Sequence, residues 1–336
     1  MFRRRLMRPL TALIAITAVL GVATACGGGD DDSSLTLVAY TTPREVYEVL
    51  IPEFQKTDAG AEISFEQSYG PSGDQSRAVE AGLDADILAL SLAPDVTRLE
   101  EPGAVDAGWA EGPTNGFVSN SIVVFAVREG NPKNIKTWDD LVRDDVEVIT
   151  PNPFSSGGAQ WNVAAAYGAQ LEQGKTHEQA LQYLADLFGR VPVQPKGARE
   201  SLQVFNAGKG DVLIAYENEA ITAQQKGEPV EYVVPDETVL IQNPIAITSE
   251  SANPEAAQAF VDFALSEPAQ QVFAEKGYRS VLPSVLAEHA DTYPEPSGLF
   301  TVDGELGGWA KFREDFFDPN DGYMADIFAG RGFTQE

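Results

Sequence analysis

The chain has 336 residues, with 51 acidic against 23 basic side chains and a net charge of −28. A field of that sign repels nucleic acid and anionic lipid surfaces, and the single cysteine, Cys26, excludes a disulfide within the chain. The length suits two domains, or one large domain with a substantial core.

The first 25 residues read as a secretory signal peptide. Arg3, Arg4, Arg5 and Arg8 precede an apolar run at 10–23, "LTALIAITAVLGVA", which is too short for a membrane span. Cys26 follows small residues and opens "GGGDDDSS". The stretch resembles a bacterial lipoprotein lipobox, with Ala23 where Leu is usual. The resemblance implies an acylated Cys26, a tether over 26–34, and a chain held at the extracytoplasmic face of the cell membrane. Each buried acyl methylene adds about 0.8 kcal/mol to such anchoring. Without the leader, 19 basic face 51 acidic side chains, a net charge of −32.

Beyond the tether, short apolar runs alternate with helical patterns. "LTLVAY" (35–40) reads as a buried strand. "REVYEVLIPEFQK" (44–56) sets Val46, Leu50 and Phe54 at helical spacing. Strands follow at 61–69 and 85–91, with a helix between them and another beginning at Pro94. A longer strand falls near 121–128. After it come a helix, a strand, the loop "PNPFSSGG" and a second helix. "ALQYLADLF" reads as a helix, and "PVQPKGARESLQVFNAG" as a strand, turn and helix. "GDVLIAYENEAI" (210–221) is a buried strand with a polar end. A last long strand lies near 239–247, followed by two helices parted at Pro268. This alternation predicts an α/β chain with largely parallel sheets. The two long strands suggest chain crossings between two lobes, one formed by 35–120 and 246–336, the other by 121–245. Small-molecule sites favour the crevice at the carboxyl ends of such strands.

Four helix starts share one chemistry. Thr41 and Thr42 precede a helix in "YTTPRE", Ser72–Gly73 start one after a strand, Ser156–Gly157–Gly158 start another, and Gly197–Ala198 a fourth. First-turn N–H groups lack intrahelical partners and carry partial positive charge. Glycines let a ligand approach those amides closely, so such starts are anion seats. Gln75 is placed to complete a capping box with Ser72. In the first three of these segments no Lys or His occurs, and Arg199 follows the fourth start. N–H and O–H donors without cations suit a fully ionised oxyanion, whereas a protonated one would also want a carboxylate acceptor.

At these residues the sequence resembles the periplasmic sulfate-binding proteins of ABC importers. The similarity runs from about Leu35 to Phe328 and is carried by "NPK", "VITPNPFSSGGAQWN", "GDVLIAYENEA" and "LFTVDGELGGWAKF". It implies a two-lobed type II periplasmic-binding-protein fold, each lobe a mostly parallel sheet flanked by helices. It implies sulfate held by Thr41, Ser72, Ser156, Gly157, Gly158, Ala198 and Tyr216, and delivery to a permease and its ATPase. No catalysis, cofactor or metal is implied, and a monomer is expected. Two positions depart from the family pattern. Thr41 stands where Asp is frequent, and Tyr216 where Trp offers an indole N–H. Thiosulfate and molybdate therefore remain alternatives.

Arg44, Gly73, Arg199 and Glu217 are expected just behind the donors, the arginines paired with acids such as Glu217 or Glu219. His177 and His289 read as surface residues. A secreted hydrolase using Ser72 or Ser156 is disfavoured, because neither has a histidine in its segment. A purely structural cell-surface role is a further alternative. Trp109, Trp138, Trp161 and Trp309 are expected to pack the core.

Overall fold

The computed structural model describes residues 34–335; the leader, Cys26 and nearly all of the tether lie outside them. In chain order the elements open with β1 (Ser34–Tyr40), α1 (Arg44–Phe54), β2 (Ser64–Gly70), α2 (Ser72–Glu80), β3 (Ile87–Ala89), α3 (Ala93–Thr97) and β4 (Phe117–Arg128). A 3-10 turn at Trp138–Val142 leads to β5 (Val148–Ile149), α4 (Gly157–Glu172), α5 (His177–Phe188), α6 (Ala198–Asn206), β6 (Val212–Tyr216), α7 (Glu217–Gln225), β7 (Val230–Val233) and β8 (Glu237–Ile247). The chain ends with α8 (Pro254–Ala264), α9 (Glu267–Glu275), α10 (Pro283–Glu288), β9 (Gly298–Phe300), α11 (Val302–Glu305), α12 (Trp309–Phe317) and α13 (Tyr323–Arg331).

These strands form one mixed sheet built from two halves. In the first half β1 pairs in parallel with β2 and β3, and β3 pairs antiparallel with the end of β8. In the second, β5 and β6 are parallel, while β6 and β7 run antiparallel to β4. The long strands β4 and β8 pair with each other and carry the chain from one half to the other. The second half is therefore less parallel than expected, because the crossing strand β4 enters it reversed.

Each half is covered on both faces. On the first half, one cluster joins Leu37, Ile87, Leu50, Phe54, Phe260 and Phe273, and another joins Val38, Leu88, Leu90, Val96 and Leu99. Successive strand residues point to opposite faces, so Leu37 and Val38 feed different clusters. In α1, Val46, Tyr47, Leu50, Ile51 and Phe54 form the buried stripe, and burying a side chain of this size contributes about 1.5–3 kcal/mol. On the second half, Phe125, Trp138, Trp161, Ile214 and Phe312 share one cluster, and Val124, Ala126, Leu213, Ala215 and Phe205 the other. Helix α4 is buried from Gly157 through Gln170, as expected of a helix apolar all round. Its Gly168 has a packing reason, since a Cβ there would lie 2.3 Å from the Phe300 ring.

Several expectations are revised. Phe300, Trp309, Phe316 and Phe328 pack in the second-half core, so within 246–336 the part from Phe300 onward leaves the first half, while Phe260 and Phe273 pack with it. "PVQP" (192–195) forms no strand; its link is an N–H of Asn152 donating to Pro195 O at 2.8 Å. Trp109 is only partly buried, its indole N–H donating to Glu100 at 2.8 Å.

Candidate functional site

The carboxyl ends of β1, β2, β3, β5 and β6 each lead directly or through a loop to a polar turn, and those turns face one another. Tyr40, Thr41, Ser72 and Ser91 from the first half, and Ser156, Gly158, Ala198 and Tyr216 from the second, line one cavity. Six of the seven expected donors thus meet. The exception is Gly157, which packs away from it: a Cβ there would lie 2.2 Å from Leu92 and 2.8 Å from Ser91 Oγ. Its missing side chain lets the two halves touch, while its first-turn amide stays at the helix end.

Three helices of nine residues or more, α2, α4 and α6, begin at this cavity. Ser156 caps α4, accepting weakly from the Ala159 N–H at 3.4 Å, so its own hydroxyl proton is free to point elsewhere. Gly158 turns its bare face to Ser156, Tyr216 and Ala198, which lie 3.4–3.7 Å from where a Cβ would stand.

Ser72 differs from expectation. Its hydroxyl donates to Asp95 at 2.6 Å and accepts the Ser91 N–H at 2.9 Å. The side chain is committed to structure, and Ser72 offers the cavity its first-turn amide. No capping box forms with Gln75, whose amide donates to Ala39 O and Ser68 Oγ. Tyr216 bonds through its hydroxyl to Ser91 Oγ at 2.7 Å. Burial holds this phenol neutral, well above its usual pKa.

Ser91 was not singled out from the sequence, yet it joins both halves. Besides those bonds, its carbonyl accepts from the Trp161 indole at 2.9 Å and from Asn243 at 2.8 Å. The available signal was position, a hydroxyl just past the end of a buried strand. Tyr40 was missed too. Its hydroxyl is buried at the cavity, in weak contact with the Thr42 and Tyr278 hydroxyls. A poorly satisfied buried donor is costly, and a ligand oxygen would complete it.

Among the described residues no Lys, Arg or His lines this cavity. Arg199 stands behind it, but its partner is not Glu217 or Glu219. It forms a two-pronged pair with Glu45 at 2.8 and 2.9 Å and donates to Thr41 O at 3.1 Å. Lys226 also reaches Glu45, at 2.6 Å. Burial alone would raise the Glu45 carboxyl, but these bonds outweigh it and hold it at about 2. Arg44 pairs with no acid in this region; it stacks 4.6 Å over the Tyr69 ring. Glu217 is fully buried against Arg279 at 2.7 and 3.0 Å. Gly73 lies close to Ser155 O. Glu219 borders a neighbouring hollow with Gly158, Ala198 and Tyr216. Burial pushes its carboxyl up to about 7, against the pull of Arg199.

Neither histidine approaches the serines. His177 meets the Tyr167 and Tyr323 hydroxyls, and His289 meets Gln271. The arrangement captures an acceptor-rich solute without a nucleophile–base pair.

Two half-sheets presenting their strand ends across an uncharged, donor-lined cavity define a solute-capturing module. The chain belongs to the bacterial extracellular solute-binding proteins, whose family model matches residues 35–279. It is 43% identical to the sulfate-binding protein of Synechococcus elongatus, over 91% of this chain and 92% of that one. It is 32% identical to the thiosulfate-binding protein of Pseudomonas aeruginosa, over 89% and 94% respectively. Among solved structures it matches the sulfate-binding protein SubI of Mycobacterium tuberculosis. There the TM-score is 0.83 and the identity 42%, covering 85% of this chain and all of that one.

Proposed function

We propose that this protein is an extracytoplasmic receptor for sulfate, bound as the dianion between the two halves and delivered to an ABC permease and its ATPase. It is a binder, not an enzyme. The observation that carries the reading is the gathering of Thr41, Ser72, Ser156, Gly158, Ala198 and Tyr216 around one cavity without a lining cation. A fully deprotonated tetrahedral anion has only acceptors and suits a wall of donors. Helix N-termini supply the balancing positive potential. Relatives named for sulfate support the choice.

The two lobes are the halves joined by β4 and β8, and parting them along these crossings opens the cavity. An acylated Cys26 holds the receptor at the membrane, and the receptor works as a monomer. Calorimetric titration of the purified mature protein with sulfate tests the reading: saturable one-to-one binding is expected, and no heat at millimolar sulfate discards it. Thiosulfate is the second reading, favoured by Tyr216 and the thiosulfate-binding relative. Competition among sulfate, thiosulfate, molybdate and phosphate decides, with sulfate expected first and phosphate last. Mass spectrometry of the membrane fraction tests the lipid at Cys26.

A further inference from the structure

A second cavity, of about 420 Å³, is bordered by Arg77 and Phe154, near the contact between Gly73 and Ser155. Its walls include Arg77, Arg98 and Arg313, with Phe154, Gln160 and Phe317. Among the described residues no carboxylate lines it, in a chain where acids outnumber bases by 28.

Acids stand behind these guanidiniums without covering them. Arg77 bonds Asp74 at 2.5 Å, but Glu80 lies 4.0 Å from Arg98 and Asp95 lies 3.9 Å from Arg313. The last two separations exceed hydrogen-bond length, which leaves guanidinium N–H donors facing the hollow. Burial first, then the nearness of Arg98 and Arg77, press Arg313 towards its neutral form against the pull of Asp95. Three like charges are thus held together by the fold, each with one acid nearby and two of those acids beyond hydrogen-bond length. Gln160, buried, adds a polar side chain to the apolar rings of Phe154 and Phe317.

The hollow also touches the machinery of the inner cavity. Arg77 reaches over Gly73 at the start of α2, and Asp95, which faces Arg313, is the acid that holds Ser72. A dianion approaching a molecule of net charge near −30 is repelled on average, so capture needs a local patch of opposite sign.

We infer that the hollow of Arg77, Arg98 and Arg313 is a second, outer anion-binding site, which takes small oxyanion dianions and passes them to the inner cavity. The inference rests on the receptor reading above. Stopped-flow fluorescence, with Trp161 as reporter across the halves, measures sulfate association in the mature protein and in Arg98→Gln and Arg98→Glu. Arg98 touches no residue of the inner cavity's donor set, so the inner seat remains intact. Association is expected to slow by several-fold in the first variant and about tenfold or more in the second, with dissociation unchanged. The difference should shrink in 0.5 M NaCl, where screening is strong. Unchanged association, or a loss confined to dissociation, overturns the inference. Crystals soaked in selenate separate the two ideas by anomalous scattering. A missing inner peak sinks the receptor reading. A missing peak among the arginines, or one that persists in Arg98→Glu, sinks the outer site.

Discussion

Ala198 opens α6, after Gly197 in extended backbone (φ −147°). Proline is tolerated at a first helical position and after an extended residue. Ala198→Pro therefore deletes one amide donor while leaving the helix in place. A hydrogen bond to a charged group contributes about 1.5–3 kcal/mol, so sulfate affinity should fall roughly 10- to 100-fold by calorimetry, with little change in Tm. Gly158→Asp places a carboxylate among Ser156, Tyr216 and Ala198 and should abolish binding. Glu219 gives a pH signature. The folded chain keeps its proton to about pH 7, whereas an unperturbed carboxyl releases it near 4.5. Between these values unfolding releases a proton, so stability falls as pH rises through that window, by about 3 kcal/mol at most. Melting the sulfate-free protein from pH 5 to 8 should show this slope, and Glu219→Gln should flatten it. The helix starts that meet at the cavity were legible because small hydroxyl and glycine residues before helices have a local chemical signature. Ser91 and Tyr40 were not, since a lone hydroxyl at a strand end says nothing of what folds against it. The partner of Arg199 was equally hidden, 154 residues away at Glu45.

At the scale of elements, α4 and β9 fit each other through an absence. Gly168 costs its helix about 1 kcal/mol in propensity relative to Ala, yet it leaves the space that Phe300 fills. Gly168→Val should destabilise the fold by about 1–3 kcal/mol through overpacking, read as a lowered denaturant midpoint. Sulfate affinity should hold, because the substitution lies turns away from Gly158. The long strands β4 and β8 and the amphipathic α1 were readable from periodicity. β7 and β9, four and three residues long, carry too few residues for a period to show. They exist because β4 and β8 offer open edges. "PVQP" runs beside the open edge of β5, but its two prolines bring no N–H to pair there. The placement of α12 and α13 was unreadable for a related reason: an apolar stripe reveals that a helix is buried, not against which core.

For the whole molecule, Glu45 is a clip between halves, binding Arg199 and Lys226 from α1. Its carboxyl, held at about 2, stays charged at any working pH, so the clip responds to salt rather than to acid. Partly exposed pairs contribute up to about 1 kcal/mol. Glu45→Gln should weaken sulfate binding roughly fivefold by favouring the open form. In scattering it should enlarge the ligand-free particle, while saturating sulfate restores the wild-type radius.

Where a proposed donor is a first-turn peptide amide, as at Ser72, Gly158 and Ala198, ordinary side-chain drift leaves that group in place. Every residue except proline brings the same N–H. Lineages could exchange letters at such positions, short of adding charge or bulk at Gly158, and keep the same N–H, so part of the proposed selectivity would be inherited as backbone shape. Comparing letters alone would understate how faithfully such a receptor is preserved.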